Sequence, residues 1–256
     1  MDTPTTALIR TPPRSYRDSY LPRGVEIDTA LAERQHAAYV DALRAAGLAI
    51  QAIAPDEHFA DGVFIEDTAV VWQRRVLRTR MAPHREGEQD AVIGHLRLTH
   101  EIVTLPPRAT LDGGDVLHTE DVTYVGRSSR TNAEGAAALR EFLMPSKRRV
   151  VEVPVEHCLH LKSAATWLGD ETLMVAHDWL DVGLFEIEHV LFAAQGEEKA
   201  ANAVRVGSHL FVLGAYAASA ATFWEFAQYR ELTLHALDVS EFEKGDGSLT
   251  CLSILM

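Results

Sequence analysis

Cys251 is one of only two cysteines in the chain, the other being Cys158. The polar, glycine-bearing turn Asp246-Gly247-Ser248-Leu249-Thr250-Cys251 delivers it into a short apolar tail. Such a turn can hold a thiol rigidly with one side accessible, whereas an unpaired cysteine elsewhere often serves as a small packing residue. Nucleophilic work by a thiol needs a proton carrier and a group complementary to the developing charge. His160, in Cys158-Leu159-His160-Leu161, offers an imidazole; Glu66-Asp67 and Asp112-Gly113-Gly114-Asp115 offer carboxylates; Asn202 offers a carboxamide. Taken singly these are a core histidine between leucines, a strand-end charge pair and a solvated turn. Taken together they are rich in acids, which suits a cationic electrophile better than the oxyanion of amide hydrolysis. A guanidinium carbon is cationic, planar and flanked by N–H groups that carboxylates can receive in pairs.

These residues head similar units. Asp67 precedes apolar stretches at 69–72 and 76–79, then a helical pattern near 88–98 and a strand at 101–105; Asp112 precedes 116–118 and 122–126, a helix near 132–142 and a strand at 149–153. His160 precedes 164–168 and 172–176, and Asn202 precedes 203–206 and 209–213, a helix near 219–230 and a strand at 232–236. Cys251 precedes 252–255, and the N-terminus adds a strand at 7–10, a helix near 28–46 started by Asp28 or Thr29 and ended by Gly47, and a strand at 48–53. A recurring unit of this length points to a propeller or solenoid. The two-to-four-residue turns favour hairpins over the crossovers of a doubly wound parallel sheet. Closing five units into a ring would carry all five polar heads to one face. The loop at 11–24 is long enough to be a lid or a surface connector.

Composition narrows the function classes. A formal net charge of −13 opposes nucleic-acid binding and attracts a cation. No apolar run approaches the ~20 residues of a membrane span. The start of the chain lacks a basic-then-apolar leader, so the cytoplasm is the expected compartment. His157-Cys158 with His160 has no matching ligand set elsewhere, and no metal or cofactor is expected.

In order along the chain, Phe64-Ile65-Glu66-Asp67, Leu111-Asp112-Gly113-Gly114-Asp115-Val116, Arg130-Thr131-Asn132, Leu159-His160-Leu161-Lys162-Ser163, Ala200-Ala201-Asn202 and Asp246-Gly247-Ser248-Leu249-Thr250-Cys251 resemble the dimethylarginine dimethylaminohydrolases of the guanidino-group-modifying (pentein) superfamily. The resemblance implies one catalytic domain over 1–256, a five-bladed pseudo-fivefold α/β propeller of ββαβ modules, working as a monomer or homodimer. It implies hydrolysis of Nω-methylated arginine to citrulline and a methylamine, with Cys251 as nucleophile, His160 as proton carrier and Asp112 holding the histidine and the guanidinium. Glu66 and Asp67 would recognise the guanidinium, with Asp67 the closer. Asp61 and the Tyr20 carbonyl would take the α-amino end, Arg85 and Arg130 the α-carboxylate, and Phe64 and Asp246 would adjoin the substrate. Arg80-Met81-Ala82 departs from the family's Arg-Pro-Gly and the segment is one residue short, which leaves Arg85 or Arg80 for the second clamp position. Arginine deimination, amidino transfer, and silent binding of cationic amino acids are the alternatives; relatives doing the first two are usually longer.

Overall fold

The computed structural model describes residues 3–19, 22 and 24–256. Five three-stranded sheets are arranged as blades. In each, an antiparallel pair is followed by a third strand parallel to the middle one. In the second blade Ala69–Trp72 pairs antiparallel with Arg75–Arg78, which pairs parallel with Glu101–Thr104. The third blade repeats this with Val116–His118, Val122–Arg127 and Arg149–Pro154. The fourth uses Ala165–Gly169, Thr172–Val175 and His189–Phe192, and the fifth Val204–Val206, His209–Leu213 and Thr233–Leu237.

The first blade closes the ring by joining the two ends of the chain. Ile254–Leu255 runs antiparallel to Thr6–Arg10, which pairs parallel with Ala49–Ile53. The short strand that follows Cys251 therefore completes the N-terminal blade.

A helix makes the parallel crossover in four blades: Thr29–Ala45, Gln89–Leu96, Ala133–Leu143 and Ala217–Tyr229. The first and third begin as their sequences dictate. Asp28 Oδ1 accepts the Leu31 N–H at 2.9 Å and Asn132 Oδ1 accepts the Gly135 N–H at 2.8 Å, each satisfying an otherwise orphaned donor of the first turn. In the fourth blade the crossover carries only a 3-10 turn, Val182–Leu184.

Five apolar clusters glue the blades, each at a junction between neighbours. Val70 and Leu77 meet Leu111, Val125 and Leu139; Leu117 and Tyr124 meet Ala165 and Leu173; Leu168 and Met174 meet Leu210 and Phe223. Leu8 and Ile53 pack with Ile65 and Val76, and Leu43, Phe64, Phe211, Phe242 and Cys251 share the fifth cluster. Stability is thus distributed around the ring, so a strand displaced in one blade disturbs the adjoining junctions.

The loop after the first strand is anchored. Tyr16, within the 3-10 turn Arg14–Asp18, is fully buried, its ring stacked on Phe242 at 5.4 Å and edge-on to Phe64 at 5.9 Å. Tyr16 thus ties down the first part of the 11–24 loop; Tyr20 lies outside the described residues.

Candidate active site

Each polar head sits just before the innermost strand of its blade, where the backbone makes a one-turn helix before extending. Such turns at 65–68, 113–115, 161–164, 198–201 and 250–252 bring the heads to one end of the ring. Close approach there demands glycine. A Cβ on Gly113 would stand 2.0 Å from the Glu66 carbonyl oxygen, and one on Gly114 2.7 Å from His160 Nδ1. Gly113→Ala should therefore destabilise the protein by about 3 kcal/mol or more, since the obstacle is backbone. A thermal midpoint within a degree or so of wild type would mean that the two turns are not in contact.

His160, Asp112 and Asp67 form a buried cluster. His160 Nε2 lies 3.0 Å from Asp112 Oδ2, while Nδ1 faces Asp67 Oδ1 at 3.8 Å, beyond hydrogen-bond range. Burial works against charging the ring. The charge of Asp67, the hydrogen bond to Asp112 and the charge of Asp115 outweigh it, and carry the histidine up to about 9. Asp112 is raised by burial and by Asp67, against the pull of the His160 hydrogen bond. Asp67 is held low: burial opposes this, but His160, Arg85 and the Gly114 N–H prevail.

Cys251 lies in the 3-10 turn Thr250–Leu252, which packs against Ile65–Thr68. It is buried and belongs to an apolar cluster, as the packing explanation requires. Its thiol nevertheless stands in the field of the site. Burial, then the Glu66 and Asp67 carboxylates, push it far up, and Lys162 pulls the other way. Asp67 is thus the common neighbour of thiol and imidazole. Its charge reaches both.

A second set of bonds locks the turns together. Lys162 Nζ donates to Glu66 Oε1 at 2.6 Å. Asn202 Nδ2 donates to the Lys162 carbonyl at 2.8 Å and to Thr250 Oγ1 at 2.9 Å, and Asn202 Oδ1 accepts the Thr250 N–H at 3.2 Å. Four heads are linked in this way next to the thiol. Beyond Glu66 and Lys162 a cavity of about 980 Å³ runs along the inner strands toward Trp72, His118 and Trp167.

The residues expected at the amino-acid end divide. Arg130 has a buried Nη1 with no acceptor among the described residues, as an arginine awaiting an anion would. Asp61 Oδ1 accepts the Ser19 hydroxyl. Arg85 requires a correction. It is 5% exposed and committed: Nη1 donates to Asp67 Oδ2 at 2.7 Å, Nε to both Glu88 oxygens, and Nη2 to Glu88 Oε2 at 2.7 Å and the Phe64 carbonyl at 3.2 Å. Two buried carboxylates hold this guanidinium. Arg80 does not replace it, for Nη1 donates to the Pro106 and Ala109 carbonyls.

Phe64 packs its ring against the Gly247 turn, so that a Cβ there would come within 2.1 Å of it. Asp246 is exposed, at φ 58°, with Lys199 3.9 Å away. The tight turn that buries Gly247 leaves the Asp246 carboxylate exposed.

These assignments separate two arginine variants. Arg130→Ala should raise KM several-fold with kcat largely kept. Arg85→Ala leaves Asp67 and Glu88 buried without their cation and should cost about 3–5 kcal/mol of stability. Unchanged thermal stability with only a higher KM for Arg85→Ala would return it to the clamp.

No protein-family model matches the chain. The N(G),N(G)-dimethylarginine dimethylaminohydrolase of Streptomyces coelicolor is 37% identical over 232 residues, 90% of this chain and 87% of the relative. The chain belongs to the dimethylarginine dimethylaminohydrolase family. The protein of the same name from Pseudomonas aeruginosa is 29% identical over 96% of this chain and 97% of its own. A solved Pseudomonas aeruginosa family structure, a cysteine-to-serine mutant complexed with citrulline, superposes with a TM-score of 0.91 at 27% identity over the whole of both chains. The family's fold extends to the N-terminal domain of ArgZ, at 17% identity and a TM-score of 0.87. The pseudo-fivefold propeller that the family resemblance implied is the fold that these structures share with this chain.

Glu88, Asp115 and Thr250 were given no role from the sequence. Arg85 and Glu88 at i and i+3 do form a recognisable charge pair, which could have flagged that arginine as already partnered.

Proposed function

We propose that this chain hydrolyses Nω-methylated L-arginine to L-citrulline and dimethylamine or methylamine through a covalent intermediate on Cys251. The polarity of the unpaired buried groups carries the reading. Asp112 Oδ1 and Glu66 Oε2 accept no hydrogen bond of normal geometry from the described protein, and Arg130 Nη1 donates none. Glu66 acts on the thiol and Asp112 on the imidazole, and with the unpaired Arg130 donor they make up the set that a free amino acid with a guanidinium tail would satisfy. An arginine within a polypeptide has no α-carboxylate for Arg130, so protein substrates are disfavoured.

The carboxylates hold the guanidinium, and its positive charge offsets the acids that suppress thiol ionisation, so substrate arrival favours the thiolate. Sulfur adds to the guanidinium carbon. The imidazolium of His160 gives a proton to the methylated nitrogen, the carbon–nitrogen bond breaks, and the amine leaves. His160, now neutral, takes a proton from water as the hydroxide adds to the thiouronium carbon; loss of the Cys251 thiolate leaves citrulline protonated on oxygen, and that proton passes to the departing amine, which is released as its ammonium ion. Atoms and charge balance with side chains and one water; the scheme calls on no metal or cofactor. Two free thiols, Cys158 and Cys251, fit a reducing compartment such as the cytoplasm. Among the described residues no helix is long and apolar enough to cross a membrane.

The test is a citrulline assay with asymmetric dimethylarginine, monomethylarginine and arginine. Citrulline from the methylated substrates is expected. Turnover of arginine alone would make the protein a deiminase, and no citrulline from any of the three would end the enzymatic reading.

A further inference from the structure

Asp115 is a fully buried carboxylate with no part in the scheme above, yet its oxygens reach two segments of the site. Oδ1 accepts the N–H of Leu161, the residue after His160, at 2.9 Å. Oδ2 accepts the hydroxyls of Ser128 and Thr131, each at 2.6 Å. Both hydroxyls pass the connection on. Ser128 Oγ accepts the Arg130 N–H at 3.0 Å, and Thr131 Oγ1 accepts the Asp112 N–H at 3.3 Å. The neighbouring strand is bare where it passes, because a Cβ on Gly126 would lie 2.4 Å from Asp115 Oδ1.

Burying a carboxylate is costly unless its lone pairs are filled. Here three donors from two separate segments fill them, and those segments have the site in common. We infer that Asp115 is a positioning residue that registers the proton-carrying His160 and its partner Asp112 against the carboxylate-binding Arg130, fixing the distance between the two ends of the substrate. A displacement of about 1 Å between such groups can cost about 100-fold in rate. The negative charge of Asp115 also helps keep His160 charged, together with Asp67 and Asp112, while the charge of Arg85 acts on Asp112. The inference rests on the functional reading for its kinetic readouts.

Asp115→Asn keeps the shape and removes the charge. It should lower kcat by about tenfold or more. The His160 imidazole, titrated by NMR in histidine-labelled protein, should move down by about half a unit or more. The titration needs no turnover, so it remains decisive if wild-type protein makes no citrulline and the functional reading falls. Ser128→Ala should raise KM for methylarginine about threefold with little change in kcat, and Thr131→Val should lower kcat with little change in KM. These two variants decide the matter if Asp115→Asn does not fold; without turnover, they are read as weaker methylarginine binding in Ser128→Ala and a shifted His160 titration in Thr131→Val. A folded Asp115→Asn protein with wild-type kinetics and His160 titration, or Ser128→Ala and Thr131→Val proteins altered only in thermal midpoint, would overturn the inference.

Discussion

Cys251→Ser is expected to retain the fold and methylarginine binding and to lose citrulline formation by a factor on the order of 10⁴ or more, the scale seen when a nucleophile is removed from a cooperating set. The substitution changes one atom of a side chain already 9% exposed, so the junction between the first and fifth blades should survive. The chemistry should not. Burial and the Glu66 and Asp67 carboxylates hold the thiol well above its ordinary range, and a serine hydroxyl at the same place is far harder to ionise even with a guanidinium beside it. Steady-state kinetics, calorimetric binding and a thermal melt read the three quantities separately. Turnover within about tenfold of wild type would exclude Cys251 as nucleophile. Wild-type protein should also show more thiolate absorbance when a non-reactive cationic analogue binds, because that cation neutralises the same acids.

His160→Gln should lower kcat by about 10²–10⁴-fold, the range for a lost proton carrier, and should erase the alkaline limb of the pH profile. The sign follows from the cluster. Proton donation to the leaving amine requires imidazolium, present below about 9 and lost as pH rises through that value. The same shift is a stability statement. A histidine raised in the folded state stabilises fully below its unfolded value near 6.5 and loses that contribution as pH climbs toward about 9. The wild-type melting temperature should therefore fall across that window more steeply than that of His160→Gln. A variant that keeps the wild-type alkaline limb would assign the titration to another group.

The fold was legible from the sequence to the extent that each blade repeats a local signal. Asp28 and Asn132 announce helices by capping chemistry that operates without tertiary help, and short turns such as Gln73-Arg74 and Gly169-Asp170 announce hairpins. The strand His189–Phe192 was not anticipated: it is an edge strand whose residues alternate weakly in burial, and no helical pattern precedes it. The polar heads were legible because their order and spacing place acid, imidazole, carboxamide and thiol at equivalent turns. Partner choice was not. Whether Arg85 meets a substrate carboxylate or Asp67 and Glu88 depends on the path of a few residues, and a guanidinium settles on whichever buried anion lies nearer. Asp246 illustrates the same limit, since its left-handed turn leaves the carboxylate exposed. Asp115 was visible in Asp112-Gly113-Gly114-Asp115, but its three donors come from 128, 131 and 161, a convergence that only the closed ring produces.

The central claim is a covalent bond between Cys251 and the guanidinium carbon. Wild-type protein mixed with dimethylarginine, quenched in acid during turnover and mapped by peptide mass spectrometry tests it directly. An added amidino-amino-acid mass, equal to substrate minus dimethylamine, is expected on the peptide carrying Cys251 and none on the peptide carrying Cys158. An adduct confined to Cys158, or rapid citrulline formation with neither cysteine ever modified, would contradict it.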